Sequence, residues 1–230
     1  VEIDEVEKHI VIFKGVTFMI TSEKMRFYWE YFRTLCKRFD NTRGYIDHSL
    51  NEYNQLKYGD VCSWEFQQIL ILTAVEFENM TKQLCELIAT DEKPFNSEKA
   101  NIMDISERIL SEFPKIGDTC ITTCYENIYP LKNWKIAMGD DNKEKIEGLD
   151  WWKAYNELKH RTYAKFSNAS LGNCINALAS LMVIELYLMK KVDNTTELSH
   201  NRPCDYFSEE YSGYTLCTGE GALLPDFISD

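Results

Sequence analysis

The densest grouping of side chains able to move protons or hold an anion is Asp150-Trp-Trp-Lys-Ala-Tyr-Asn-Glu-Leu-Lys-His-Arg-Thr-Tyr163, where four aromatics share a short stretch with the triplet Lys159-His160-Arg161. An imidazole can take or give a proton near neutral pH, and adjacent cations can stabilise charge on a phosphate. If a helix runs from Asp150 to about Phe166, its turn of about 100° per residue sets Lys153, Asn156, His160, Tyr163 and Ser167 on one face. Trp151, Tyr155, Leu158 and Thr162 then share the opposite face. Asn156 and Tyr163 would flank His160 and fix its tautomer. A plainer reading of the same strip is a solvated face, with Glu157 and Arg161 as an i,i+4 surface pair.

A second grouping, Glu76-Phe-Glu78-Asn79-Met-Thr-Lys82, interrupts a segment that is otherwise apolar. Glu78 and Lys82 are four apart and can pair, and Asn79 and Lys82 continue one stripe. A carboxylate within a central helix requires a partner, and Lys159, His160 or Arg161 are the natural donors. The two groupings are therefore expected to meet in one pocket. The plainer reading is a structural buried salt bridge. Arg43-Gly-Tyr-Ile-Asp-His48 is a weaker third pattern, because Arg and His at that spacing arise readily by chance.

Cys120 with Cys124, and His200, Cys204 and Cys217, fit no zinc-ribbon or zinc-finger spacing. No metal and no cofactor is expected. Phosphate-cradling Gly-rich loops, dinucleotide fingerprints and a Gly-x-Ser-x-Gly elbow are absent from the sequence.

The elements that must carry these residues read as helices. Met25, Tyr28, Trp29, Phe32, Leu35, Cys36 and Phe39 recur at three- and four-residue steps, which predicts a helix from about Ser22 to Phe39. More helix is expected through about Lys57, then a turn at Tyr58-Gly59-Asp60. Ser63 can cap a central helix over about 64–89. Ile102, Ile105, Ile109, Leu110 and Phe113 predict a third helix, stopped by Pro114. Thr119 to Tyr125 could be a strand, and Gly139 to Lys145 a polar loop. Ser167 or Asn168 opens a last long helix to about Lys191, with Leu171, Cys174, Leu178, Leu181, Met182 and Leu186 inward.

The expected fold is all-α: an antiparallel bundle of about five helices over residues 22–191, with irregular extensions over 1–21, irregular or strand-like at Val11–Phe13 and Val16–Ile20, and over 192–230, where short strands could form. No linker rich in Pro, Ser or Gly divides the chain, so one domain is expected. The 230 residues include 44% hydrophobic side chains, enough for a sizeable core, and the net charge of −12 argues against general nucleic-acid binding while leaving room for a local basic patch. Cys36, Cys85 and Cys174 fall inside helical patterns and read as small core residues. The acidic N-terminus lacks the order of a secretory signal, and the run Ala177 to Met189 is shorter than a membrane span and contains Glu185. A soluble, cytoplasmic protein with no membrane contact is expected.

Phe66 to Lys82 and Trp151 to Arg161, followed by the helix from Asn168 to Tyr187, together resemble the HEPN superfamily and uncharacterised bacterial helical proteins. The resemblance covers about residues 22–191. It implies a helical bundle, commonly a homodimer. It also implies a metal-independent RNA endonuclease of a toxin–antitoxin or antiphage defence system, or a non-catalytic module that binds a protein partner from such a system. Active members carry Arg, four to six residues, then His on a late helix, often with Glu-x-x-x-Lys on an earlier one. Glu78 to Lys82 matches the latter; Arg161 follows His160 instead of preceding it, and Arg43 to His48 has the spacing in an early position. The resemblance would make His160, Arg161, Lys159, Glu78 and Lys82 catalytic, with Asn156, Tyr163, Asn79 and Lys153 binding RNA.

Overall fold

The computed structural model describes residues 10–13, 16–19, 22–123, 127–193, 217–218 and 226. The sites suggested at Cys124, His200 and Cys204, and nearly all of the expected extension over 192–230, lie outside the described residues. Among the described residues five α-helices carry the fold: α1 (Ser22–Asp40), α2 (Trp64–Leu87), α3 (Ile102–Glu112), α4 (Asp150–His160) and α5 (Leu171–Asp193).

The protein is mostly helical, but the all-α expectation needs correction. β1 (Ile10–Phe13) and β2 (Val16–Met19) form an antiparallel hairpin. β3 (Ile121–Thr122) pairs with both β4 (Asn127–Ile128) and β7 (Cys217–Thr218). β5 (Lys135–Met138) and β6 (Glu144–Glu147) form a second hairpin around the polar loop predicted at 139–145. Lys135 pairs with Glu147 across this hairpin and Lys145 pairs with Glu147 along β6, and a cross-strand pair such as the first escapes a search for helical periodicity.

α2 and α5 make the most extensive contact. Ser63 Oγ accepts the Phe66 N–H at 3.0 Å and caps α2 as predicted. At α5 it is Ser170, not Ser167 or Asn168, whose hydroxyl accepts the Asn173 N–H, at 3.3 Å. Cys174 Sγ donates to Phe66 O at 3.2 Å near the start of both helices, while α3 touches the far end of both, through Cys85 and Ile105 on one side and Phe113 and Tyr187 on the other. α2 and α5 are therefore parallel, which corrects the expectation of a purely antiparallel bundle. α1 runs against α2, tied at its end by Arg38 to Glu65.

α5 is buried all round from Ala177 to Met189. Over Leu171–Val192 it is long and apolar enough to cross a membrane by length and composition, so the expectation of too short a segment does not hold; 83% of its most apolar window is nevertheless buried inside the bundle. The predicted helix through Lys57 is a short 3₁₀ turn, Asn41–Gly44, followed by irregular chain. Thr42 Oγ1, bonded to Phe39 O at 2.7 Å, turns inward to meet His48, and the segment folds back on itself.

α4 is fixed at its start. Gly148 has φ +82°, and a side chain there would overlap the Asn133 carbonyl, so the chain can enter the helix only through glycine. Trp151 and Trp152 then pack on Phe77 of α2, with ring centres 5.0 and 5.9 Å away. Trp134, after an indole N–H bond to Ser106 Oγ at 3.0 Å, closes the same aromatic group.

Candidate functional site

α4 ends at His160, not near Phe166. Arg161 leaves the helix at φ −143°, and a second 3₁₀ turn, Phe166–Asn168, leads into α5. Tyr163 and Ser167 therefore do not continue the strip that carries His160, and Tyr163 stands almost wholly in solvent, 99% exposed. Asn156 does not orient His160 either: its side-chain N–H donates to Trp152 O one turn back, at 3.0 Å. Glu157 does not pair with Arg161. It accepts from Lys165 Nζ at 3.1 Å and Asn168 Nδ2 at 3.0 Å, bonds that hold its carboxyl below the usual range and clamp the 3₁₀ turn to α4. Lys153, Lys159, His160 and Arg161 are exposed, with Lys159 Nζ 5.7 Å from the Tyr155 ring centre.

The early group behaves differently. Lys82 Nζ donates to Glu78 Oε1 at 2.6 Å within α2, and Asn79 donates to Glu76 Oε2 at 3.5 Å. Asn79 and Lys82 line an open polar cavity of about 310 Å³ with Tyr28, Gln83, Glu86, Ser97 and Glu98. That cavity belongs to α1, α2 and the loop before α3, not to α4.

The expected meeting of Glu78 and Lys82 with Lys159, His160 and Arg161 does not occur within one chain. α4 starts at the level of Phe77 and runs toward the beginning of α2, where Phe166 packs on Trp64 at a tilt, with ring centres 4.5 Å apart. At about 1.5 Å per residue, His160 lies roughly 13 Å past Trp151 in that direction, and Lys82 about 7 Å past Phe77 in the other. Helical spacing sets which residues share a face, but the antiparallel course of α4 decides which ends meet. The plainer reading is met only in part: Glu78 and Lys82 pair with each other within α2, but the pair is half-exposed and not the buried bridge expected.

What gathers at the end of α4 is a corner of exposed rings and cations. Trp64 is 66% exposed beside Phe166, and Tyr58 and Val61 stand exposed on the loop entering α2. That loop is stitched to the start of α5 by Ser63 N–H to Ala169 O and Leu171 N–H to Val61 O. Lys57 Nζ lies 5.2 Å from the Tyr58 ring centre. Tyr163, Lys159, His160 and Arg161 lie toward this corner, where the acids Glu65 and Glu157 are already engaged by Arg38 and Lys165 and Asp60 stands exposed on the loop. The local balance of unengaged charge is thus positive on an acidic chain. Sequence reasoning found the cations but missed Trp64 and Phe166, since single rings at helix starts carry no periodic signal.

Two buried groups complete the chemistry. His48 Nε2 lies 2.9 Å from Thr42 Oγ1, against the Phe39 ring. Burial, reinforced by the nearby Arg43, lowers its pKa to about 4, so it is a neutral core residue and not a partner of Arg43 in chemistry; Arg43 pairs with Asp40 at 3.4 Å. Glu185 of α5 is fully enclosed, and Glu76 of α2 nearly so. Burial raises both carboxyls, Glu185 well above the usual range with the Glu76 charge adding to the effect.

Among the described residues, no group of three or more His, Cys, Asp or Glu is placed to hold a metal ion. Comparison with family models, curated proteins and solved structures finds no match for this chain.

Proposed function

We propose that this chain is a helical RNA-binding module, with single-stranded RNA engaged at the corner built from the end of α4, the turn before α5 and the start of α2. The supporting observation is the exposed Trp64 ring, packed at a tilt on half-buried Phe166, at the end of the bundle toward which α4 carries the exposed Lys159, His160 and Arg161. Bases stack on exposed rings irrespective of sequence, while neighbouring cations follow the phosphates. The reading keeps the RNA that the HEPN resemblance implies, and a role in a toxin–antitoxin or antiphage system goes with that resemblance. It sets aside a catalytic centre assembled within one chain, because Glu78 and Lys82 are engaged elsewhere.

Binding of fluorescent oligouridine as a function of salt tests this reading. The expected result is saturable binding that weakens with salt and is reduced about 5- to 100-fold by Trp64→Ala, the range that one lost stack gives. No RNA binding by wild-type protein at low salt overturns it. Incubating tRNA in EDTA with wild type and His160→Ala tests cleavage separately: cutting that the variant abolishes restores the metal-independent endonuclease, with the second half of its site supplied by the other copy in a homodimer. A rival reading, in which the same corner receives a protein partner, is favoured by the exposure of Tyr58, Val61 and Trp64 on one short stretch of chain. It gains if Trp64→Ala abolishes co-purification of a partner while the wild-type chain ignores RNA.

A further inference from the structure

Glu76 and Glu185 lie at the same height in the core. Phe66 of α2 meets Cys174 of α5 through a direct bond, and the two helices are parallel. Ten or eleven residues further along each helix come Glu76 and Glu185. Both carboxyl oxygens of Glu185 and Oε1 of Glu76 are buried and lack a hydrogen-bond partner. The one bond to the pair is the long contact from Asn79 to Glu76 Oε2, at 3.5 Å. No Lys, Arg or His among the described residues forms an ion pair with either acid.

The other ionisable groups around the pair offer no compensation. From α1, Cys36 faces Glu185 and Tyr31 faces Glu76, and both are held in their neutral forms by burial and by these acids. Arg38 and Asp40 lie farther out, and are taken up by Glu65 and Arg43. α4 contributes indoles and apolar side chains to the neighbouring core. Two carboxylates in such surroundings would add mutual repulsion to a large desolvation cost.

We propose that Glu76 and Glu185 form a proton-holding site, which takes up one proton from solvent when the chain folds and so carries at most one negative charge. The proton comes from water and returns there on unfolding, where each acid ionises independently. The consequence for pH is definite in sign. A carboxyl raised on folding stabilises fully below its unfolded pKa, and that contribution fades as pH rises through the folded value. The pair thus makes the fold weaken toward alkaline pH, opposite to the usual behaviour of paired surface acids.

The test is thermal unfolding of the full chain between pH 5 and pH 8, for wild type, Glu185→Gln and Glu76→Gln. Glutamine keeps the shape of the protonated acid but cannot ionise. The expected result is that wild type loses about 3 °C more per pH unit than Glu185→Gln over part of this range, the scale that one linked proton gives for a chain of this size. Glu185→Gln should then melt higher than wild type at pH 8. Comparing slopes removes the contribution of His48, which is common to all three proteins. Parallel curves for wild type and both variants overturn the proposal. If Glu185→Gln does not fold, Glu185→Leu, which fills the same apolar surroundings without a titratable group, decides by the same slope. A final arm adds Mg²⁺, Ca²⁺ or Zn²⁺ to wild type after EDTA treatment: no rise in melting temperature is expected. A saturable rise that Glu185→Gln removes makes the pair a cation site and overturns the proton assignment.

Discussion

In the middle of the bundle two carboxyls are enclosed by apolar helices, whereas at the far end of α4 large rings stand in water. Both regions depart from the ordinary burial pattern, in opposite directions. The interior departure is tolerable only if charge is removed, and a proton does that with no change in packing. The surface departure is limited to a few rings, one of which, Tyr58, has the Lys57 ammonium 5.2 Å from its centre. The first is therefore a matter of stability and the second a matter of binding, and substitutions should separate the two.

The largest effect is expected where both regions share a support. Phe77→Ala removes the ring on which Trp151 and Trp152 rest and which adjoins Glu76. Urea unfolding should show a loss of about 3–5 kcal/mol, typical of a large buried aromatic. A loss under about 1 kcal/mol would show that α4 is held by something other than this contact.

His48 comes next, and its sign opposes that of the acid pair. Its folded pKa of about 4 lies below the ordinary 6.5. Its contribution is therefore present above the unfolded value and lost as pH falls toward 4, by at most about 1.4 kcal/mol per pH unit. An NMR titration should place the His48 ring near 4, and Thr42→Val should weaken the fold. A His48 titration near 6.5 would mean the site is open to water.

At the corner, Trp64→Ala should cost about 1–3 kcal/mol of RNA affinity and leave the melting temperature within a few degrees, because the ring is exposed. A fall in stability without a change in binding would reverse the contrast between the two regions. The smallest effect is expected from Lys82→Ala: about 0.5 kcal/mol or less from one i,i+4 pair, and unchanged RNA affinity. A marked loss of RNA binding there would reunite the two groups of residues that the fold holds apart.

The helices were legible in the sequence because three- and four-residue spacing is written in it: α1, α2, α3 and α5 start and stop within a few residues of the positions expected from periodicity, Ser63 and Pro114. The small sheets were less so, since β3 and β4 are two-residue strands with no room to show alternation. The end of α4 was misplaced because Arg161 to Tyr163 carry no glycine or proline to mark the stop; the clamp from Glu157 to Lys165 and Asn168 is a three-dimensional cause. For the site, residue types were legible and their meeting was not. Local periodicity could not reveal that α2 and α5 run the same way, and that fact puts Glu185 beside Glu76. The signal was present in another form: one acid in the run from Ala177 to Met189 and another after Ile69 to Val75.

The parallel pairing of α2 with α5 also bears on how the protein is made. The contact surface of α2 emerges from the ribosome more than eighty residues before α5 is complete. Until then the face of α2 that α5 will cover has no permanent cover, and the nascent chain presents it to whatever is nearby. Closure across so long a separation is slow compared with local hairpin formation. Synthesis at about 5–20 residues per second leaves that surface open for several seconds or more, which makes it a natural target for chaperones and a point at which slowed translation would favour aggregation.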